Sequence, residues 1–186
     1  MKRAGLIFGK CESVQTSAFR KFVIGDVHKY MFDYWNERRH ILGRSPHFEE
    51  IDPDRLKSIL HCIFVLDYKP GHMDYRVRMA GMSLREFMKI EITGKFIRDI
   101  YERPIVDEFI SCFDLARTTQ KPHFFQSVRS LEANSLYRYH QMTLPLGNDQ
   151  LMGTATVDCH ISMIDVSLRQ IIHEMDFVAN YLVDLD

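Results

Sequence analysis

Histidine is the residue type in this sequence best suited to chemistry, because a neutral imidazole binds metal ions and exchanges protons near pH 7. No two of the nine histidines stand four residues apart, and no HxH or HExxH motif occurs. His61 stands beside Cys62, and His160 stands beside Cys159. Adjacent residues of a strand point to opposite faces, so neither pair can hold one metal ion. We therefore predict surface or structural histidines and no metal site.

The sequence does not identify a cofactor, because a haem group held by a single axial histidine leaves no sequence motif. His123 and His140 are two histidines for which this alternative stays open. The cysteines form no CxxC pair, so neither a disulfide framework nor a zinc cluster is indicated. They are Cys11, Cys62, Cys112 and Cys159.

Catalytic groups are the next kind of chemistry, and we predict none. No GxSxG or reactive-cysteine signature marks a nucleophile, and Ser83 is explained as a helix cap. Four carboxylates cluster around Ile51, but they lie in a proline-flanked linker and are predicted to be solvated. These are Glu49, Glu50, Asp52 and Asp54. We therefore predict that the chain is not an enzyme.

Composition limits the class of protein. The 186 residues suffice for one domain with flanking helices. Lys and Arg number 24 against 25 for Asp and Glu, a net charge of -1, so charge gives no reason to expect a nucleic acid or a membrane as partner. The N-terminal apolar run is too short for a signal peptide, and no segment approaches the ~20 apolar residues that span a bilayer. We expect a cytoplasmic protein with reduced cysteines.

The N-terminal third is predicted to hold a tail, a helix and a linker. Residues 1–26 contain no convincing periodicity and are predicted to be a flexible tail. Residues 27–60 begin with an amphipathic helix that ends before Gly43. A linker with a short second helix follows, and the Asp52–Pro53 pair is its start signal.

A β-hairpin is predicted next. IFVLDY is an apolar run of strand length, and Pro70 and Gly71 after it favour a turn. MDYRVRM then alternates between apolar and basic residues, which places Tyr75, Val77 and Met79 on one face.

Two helices are predicted after the hairpin. Ser83 and Glu86 form the S-x-x-E pattern of a capping box, which indicates a short helix. Pro104 is the start signal of a second helix. The apolar face of that helix consists of Ile105, Phe109, Phe113 and Ala116.

The remaining segments predict three strands and a final helix. The strands are HFFQSVRS, YRYHQMTLPL and LMGTATVDCHISM. Ser167 and Gln170 form a second capping-box pattern, which opens a C-terminal helix over residues 164–186. Its apolar side consists of Leu168, Ile171, Ile172, Met175, Val178, Ala179 and Leu182.

This order of elements predicts an α+β fold. Sequential strands usually lie side by side, so residues 61–163 are expected to form a five-stranded antiparallel sheet. The helices between the second and third strands must cover one face of it as a helical lid. N- and C-terminal helices flank this domain.

The same order, together with particular residues, resembles the PAS domain family, most of all a bacterial subgroup in which the PAS fold follows an N-terminal helix. The resemblance covers the chain from about Tyr30 to Ile161. It is carried by Tyr34, Trp35, Arg39, Pro46, Ile51–Leu56, Leu66, Asp67, Tyr75–Gly81, Thr93, Gly94 and Leu144–Leu146. The segment RRHILGRSP diverges from the basic linker of the subgroup, and Gln141 stands where an acidic residue is more usual.

The resemblance implies a sensor or protein-interaction module with a pocket between sheet and helices. No Asn-Cys-Arg-Phe cluster of the flavin-binding group occurs, so we expect no photochemical flavin adduct. The predicted interior is large and apolar, and it either binds a small apolar ligand or is simply filled by side chains. The candidate lining residues are Tyr75, Val77, Met79, Phe87, Met88, Phe96, Phe109 and Phe113.

The flanking helices are the other functional candidates. Their apolar stripes predict a homodimer seam or, alternatively, a cover for the exposed sheet face. The contact candidates are Tyr34, Trp35, Ile172, Met175 and Leu182. The sequence thus predicts a non-catalytic regulatory module that dimerises and contacts a signalling partner. A carrier or enzyme that uses the same cavity, and a structural adaptor with a full core, are the alternatives.

Overall fold

A computed structural model describes residues 12–16, 25–101, 103, 105–132, 135–162 and 179–185 of the chain. The strands are β1 (Glu12–Gln15), β2 (Ile63–Lys69), β3 (Asp74–Ala80), β4 (His123–Glu132), β5 (Ser135–Pro145), β6 (Gln150–Ser162) and β7 (Ala179–Asp184). The helices are α1 (Asp26–Leu42), α2 (Met82–Met88), α3 (Ile97–Ile100) and α4 (Ile105–Thr119), with 3-10 turns at Phe48–Glu50 and Leu60–Cys62.

One sheet contains all seven of these strands, in the order β1-β7-β4-β5-β6-β2-β3. The strands β4, β5, β6, β2 and β3 are antiparallel to their neighbours. The predicted five-stranded antiparallel sheet is therefore confirmed. Two strands extend it beyond β4: β7 pairs antiparallel with β4, and β1 pairs parallel with β7.

These two added strands correct both ends of the prediction. The C-terminal helix is wrong over Ala179–Asp184, where Leu182 lies in a strand paired with His123 of β4. Without β7, β4 would expose a row of backbone donors and acceptors, and a helical spacing pattern carries no information about that edge. Residues 163–178, with Ile172 and Met175, lie outside the described residues. The predicted tail is likewise wrong over Glu12–Gln15, which form β1.

Helix α1 confirms the predicted N-terminal helix and packs on one face of the sheet. It ends at Gly43, whose φ of 67° is the left-handed conformation that glycine adopts most readily. Tyr34 and Trp35 are 2% and 0% exposed. The indole Nε1 of Trp35 donates to the carbonyl oxygen of Pro145 at 2.8 Å, so the helix is fixed to the end of β5. None of the described helices is long and apolar enough to cross a membrane.

The linker after α1 contains turns where a short second helix was predicted. Backbone bonds from Leu56 to Pro53 and from Ile59 to Leu56 span three residues each, so the segment is a series of turns. Asp52 accepts a bond from the amide of Asp54 at 3.0 Å, so its carboxylate supports a turn and does not cap a helix. Leu56 and Ile59 are buried beneath α1 in the core on that side of the sheet.

The opposite face of the sheet carries α2, α3 and α4, which confirms the predicted helical lid. A bulge in the β2–β3 hairpin decides which residues reach this face. Val65 pairs with Met79 and Leu66 pairs with Val77, so Arg78 is an extra residue in β3. The extra residue reverses the alternation, and Met79 packs on the α1 side while Val77 packs under the lid.

Helix α2 begins at Met82 after Gly81, so the predicted capping box at Ser83 and Glu86 is wrong. Tertiary contacts set this start. The amide of Gly81 donates to the carbonyl oxygen of Ile63 at 2.7 Å. A Cβ on Gly81 would overlap the carbonyl group of His61.

We expect Gly81→Ala to lower the free energy of unfolding by about 1–3 kcal/mol, because the added methyl group forces the backbone of a packed turn to move. Gly71→Ala is the matched control, since a Cβ there meets nothing within 4 Å. Urea denaturation of both variants measures the difference. Equal stability of the two variants would contradict the close packing of Gly81.

Candidate functional site

A cavity lies between the sheet and the lid helices. Its empty space is about 380 Å³ when measured out to its open mouth, and the enclosed part has room for only a few water molecules. Strands β2, β3 and β5 and helices α2, α3 and α4 all contribute to its wall. The lining residues are Phe64, Leu66, Val77, Leu84, Ile92, Ile97, Ile100, Tyr101, Phe109, Phe113, Tyr139 and Gln141.

Five aromatic side chains contribute to the wall of the cavity. Phe109 and Phe113 stand one helical turn apart on α4, with ring centroids 5.8 Å apart. Phe64 of β2 faces Phe113 at 6.2 Å, and Tyr139 of β5 meets Phe109 edge-on at 6.2 Å. Such rings offer a ligand a large apolar surface of fixed shape. No charged side chain lines the described cavity.

Two polar side chains of β5, Tyr139 and Gln141, interrupt the apolar part of this wall. The hydroxyl of Tyr139 donates to Oε1 of Gln141 at 2.7 Å, and Nε2 of Gln141 donates to the hydroxyl of Thr143 at 3.2 Å. All three residues lie on β5 two positions apart, so they share one face. Gln141 is 2% exposed. A neutral amide held in this way gives the cavity a fixed polar position without adding a buried charge.

A polar clamp holds α4 against the sheet next to the cavity. The hydroxyl of Tyr75 donates to Asp114 of α4 at 2.7 Å. Arg117 donates to the same hydroxyl and to Asp114, each at 3.1 Å, and to Asp149 at 3.3 Å. Its guanidinium carbon also lies 3.9 Å from the ring centroid of Tyr68. The clamp therefore joins α4 to β2, β3 and the turn before β6.

Burial and the neighbouring carboxylate of Asp114 raise the pKa of Tyr75 well above its usual value, although Arg117 opposes the shift. The phenol therefore stays protonated across the physiological range. It serves as a hydrogen-bond donor and does not exchange its proton near pH 7.

The predicted pocket residues fall into three groups. Val77, Phe109 and Phe113 line the cavity. Tyr75, Phe87 and Met88 pack in the same cluster without forming the wall. Met79 lies on the α1 side because of the bulge, and Phe96 stacks on His72 with ring centroids 4.6 Å apart.

Sequence reasoning missed Tyr139 and Gln141 as site residues. Their alternation in the predicted strand YRYHQMTLPL was the available signal, because Tyr139, Gln141 and Thr143 must share a face. Only the packing shows that this face lies under the lid. Gln141, which stands where an acidic residue is more usual, thus supplies the amide group of the cavity wall.

The described histidines do not form a metal site with other residues: no group of three or more His, Cys, Asp and Glu side chains within the described ranges could hold a metal ion. His123 and His140 are both 0% exposed. Neither lines the cavity, so neither is placed to bind a haem iron there.

The described residues of the predicted dimer seam lie in different parts of the structure. Tyr34 and Trp35 are buried against the sheet, which is the alternative that the sequence left open. Leu182 is part of β7. Self-association of the chain stays a prediction, which native mass spectrometry would test directly.

We expect Tyr139→Phe to lower the free energy of unfolding by about 1–3 kcal/mol, because it leaves the buried Oε1 of Gln141 without this donor. Tyr30→Phe is the control, since its hydroxyl bonds to Arg55 at an exposed position and its loss should cost less. Urea denaturation measures both variants.

A double-mutant cycle tests whether Tyr139 and Gln141 act as a pair. The combination of Tyr139→Phe with Gln141→Leu should cost less than the sum of the single changes, because it removes both partners of one bond. Additive losses would show that the two side chains are not coupled.

Comparison with known proteins adds a family assignment. A family model described as a PAS domain matches residues 26–151, which is more than half of the chain. The match extends from α1 to the start of β6 and so includes the helix, the lid and the cavity. No curated protein and no solved structure matches the chain significantly.

Proposed function

The chain belongs to the PAS domain family, whose members are in general non-catalytic sensory or regulatory modules, and from this premise we propose that it senses a small neutral ligand in its cavity. The observation that carries the proposal is the hydrogen-bonded Tyr139–Gln141 pair in a largely apolar wall. A filled core would need no hydrogen-bonding group at that position.

The wall chemistry limits the ligand class. A charged ligand would lose its hydration without meeting an opposite charge, which is costly in an apolar site. An apolar molecule with one hydrogen-bonding group would pack against Phe109 and Phe113 and reach the amide of Gln141. The small enclosed space favours a compact molecule or requires the mouth to widen.

The output of the proposed sensor is the N-terminal helix. Strand β5 presents Tyr139 and Gln141 to the cavity, and between them His140 faces His28 of α1. The same strand ends at Pro145, whose carbonyl group holds Trp35. A ligand that shifts β5 therefore acts on the contacts of α1, and it biases the helix between two arrangements to the extent that it binds one of them more tightly.

A small-molecule carrier is the second candidate, since it would use the same cavity without a response in α1. The polar pair favours recognition over catalysis. The amide of Gln141 neither donates nor accepts a proton as an acid or base near pH 7.

The ligand proposal predicts that 1-aminoanthracene, a neutral aromatic probe with one polar group, binds the protein with increased fluorescence. Ile92→Phe should weaken binding at least tenfold, because Ile92 lines the cavity and is 6% exposed. Ile90→Phe is the matched control: Ile90 is 41% exposed and should not affect binding. Equal binding by all three proteins, or none by the unmodified chain together with no co-purified molecule in native mass spectra, would refute the proposal.

Hydrogen exchange separates the sensor from the carrier. In a sensor, saturation with the probe should change the exchange rates of α1 amides as well as those around the cavity. In a carrier, protection should rise around the cavity alone.

A further inference from the structure

The first turn of α1 is attached to the sheet through one buried histidine. His28 is 0% exposed. Its Nδ1 lies 2.6 Å from the hydroxyl oxygen of Thr154, and its Nε2 lies 3.0 Å from that of Thr156. Both ring nitrogens are therefore hydrogen-bonded to β6. The cavity described above lies on the opposite face of the sheet.

Within the described part of the chain, the surroundings of His28 contain another imidazole and no carboxylate that acts on it. His140 of β5 is also 0% exposed, and the two ring centroids are 6.3 Å apart. Phe124 of β4 meets His28 edge-on at 5.8 Å. Thr154 and Thr156 are the neighbours from β6, and neither ionises. Among the described residues, His140 is the titratable group that acts electrostatically on His28.

A proton on His28 would be a buried charge in this site. The threonine hydroxyls can rotate to accept bonds from both N–H groups, so protonation does not by itself break the hydrogen bonds. The cost comes from burial, and any charge on His140 adds to it by repulsion. These two effects lower the pKa of His28 from 6.5 to about 3.

We propose that His28 makes the docking of α1 acid-sensitive, so that a fall in pH favours the release of this helix from β5 and β6. The inference is independent of whether the cavity binds a ligand. It assigns a regulatory role to the face of the sheet that the pocket does not use.

The direction follows from the two pKa values. Released His28 would titrate near its ordinary pKa of 6.5, whereas docked His28 stays neutral until the pH approaches 3. Docking is therefore at full strength above 6.5 and weakens steadily as the pH falls below it. For one proton, the ratio of released to docked helix rises about eightfold from pH 7.0 to pH 5.5.

Native-state hydrogen exchange measures this ratio, because the amides of α1 exchange when the helix is released. After correction for the intrinsic exchange rate at each pH, we expect the opening constant of α1 to rise about eightfold between pH 7.0 and 5.5. The amides of β5 and β6 should change less.

Two variants decide the role of His28. His28→Gln keeps a hydrogen-bond donor and an acceptor for the two threonines but does not titrate. The pH dependence of α1 opening should therefore fall by the contribution of one bound proton. His40→Gln removes an exposed histidine of the same helix and should leave the pH dependence unchanged. An unchanged pH dependence in His28→Gln would overturn the proposal.

NMR titration keeps the test decisive if His28→Gln does not fold. In the unmodified protein, the ring signals of His28 should report a neutral imidazole in the docked state down to pH 4.5. A docked His28 that titrates near pH 6.5 would also overturn the proposal.

Discussion

Burial of the central sheet on both faces is the constraint on which the rest of this structure depends. From Tyr139 to Leu146 every residue of β5 and the turn after it is buried, and so is each residue of β6 from Leu151 to Ala155. Since successive side chains point to opposite faces, each strand must satisfy two different environments. One is the α1 side, and the other is the lid with its cavity.

Polar groups in these strands therefore need partners inside the protein. Thr154 meets His28 on one face, and Gln141 meets Tyr139 on the other. Trp35 uses the carbonyl group of Pro145. A buried polar group without a hydrogen-bond partner destabilises the fold by more than a typical hydrogen bond stabilises it. These bonds therefore specify how α1 and the lid sit on the sheet as well as adding stability.

The same constraint connects the proposed functions. A strand with two buried faces cannot shift on one side without affecting the packing on the other. The cavity and the docking site of α1 lie on opposite faces of the sheet, and β5 contributes residues to both. An input from a ligand and an input from protons would both change the position of α1, although they would act on opposite faces.

The sequence alone determined the elements whose signals are local. The apolar spacing of α1, the run of β2, the alternation in β3 and the apolar face of α4 were sufficient for the five-stranded sheet and its lid, because these patterns follow from backbone geometry. They were also sufficient to propose an aromatic interior, and Val77, Phe109 and Phe113 do line the cavity. The family resemblance rested on the same stretch of chain.

The tertiary structure decided what depends on distant partners. Residues 179–184 pair with the edge of β4 as a strand, although their apolar spacing predicts a helix. One extra residue in β3 moved Met79 to the other face, and the contact between Gly81 and His61 set the start of α2 instead of Ser83. Gln141 and His28 became site residues only when the sheet was covered on both sides. Spacing in a sequence gives the face of an element, whereas the partner of that face is set by packing between residues far apart in the chain.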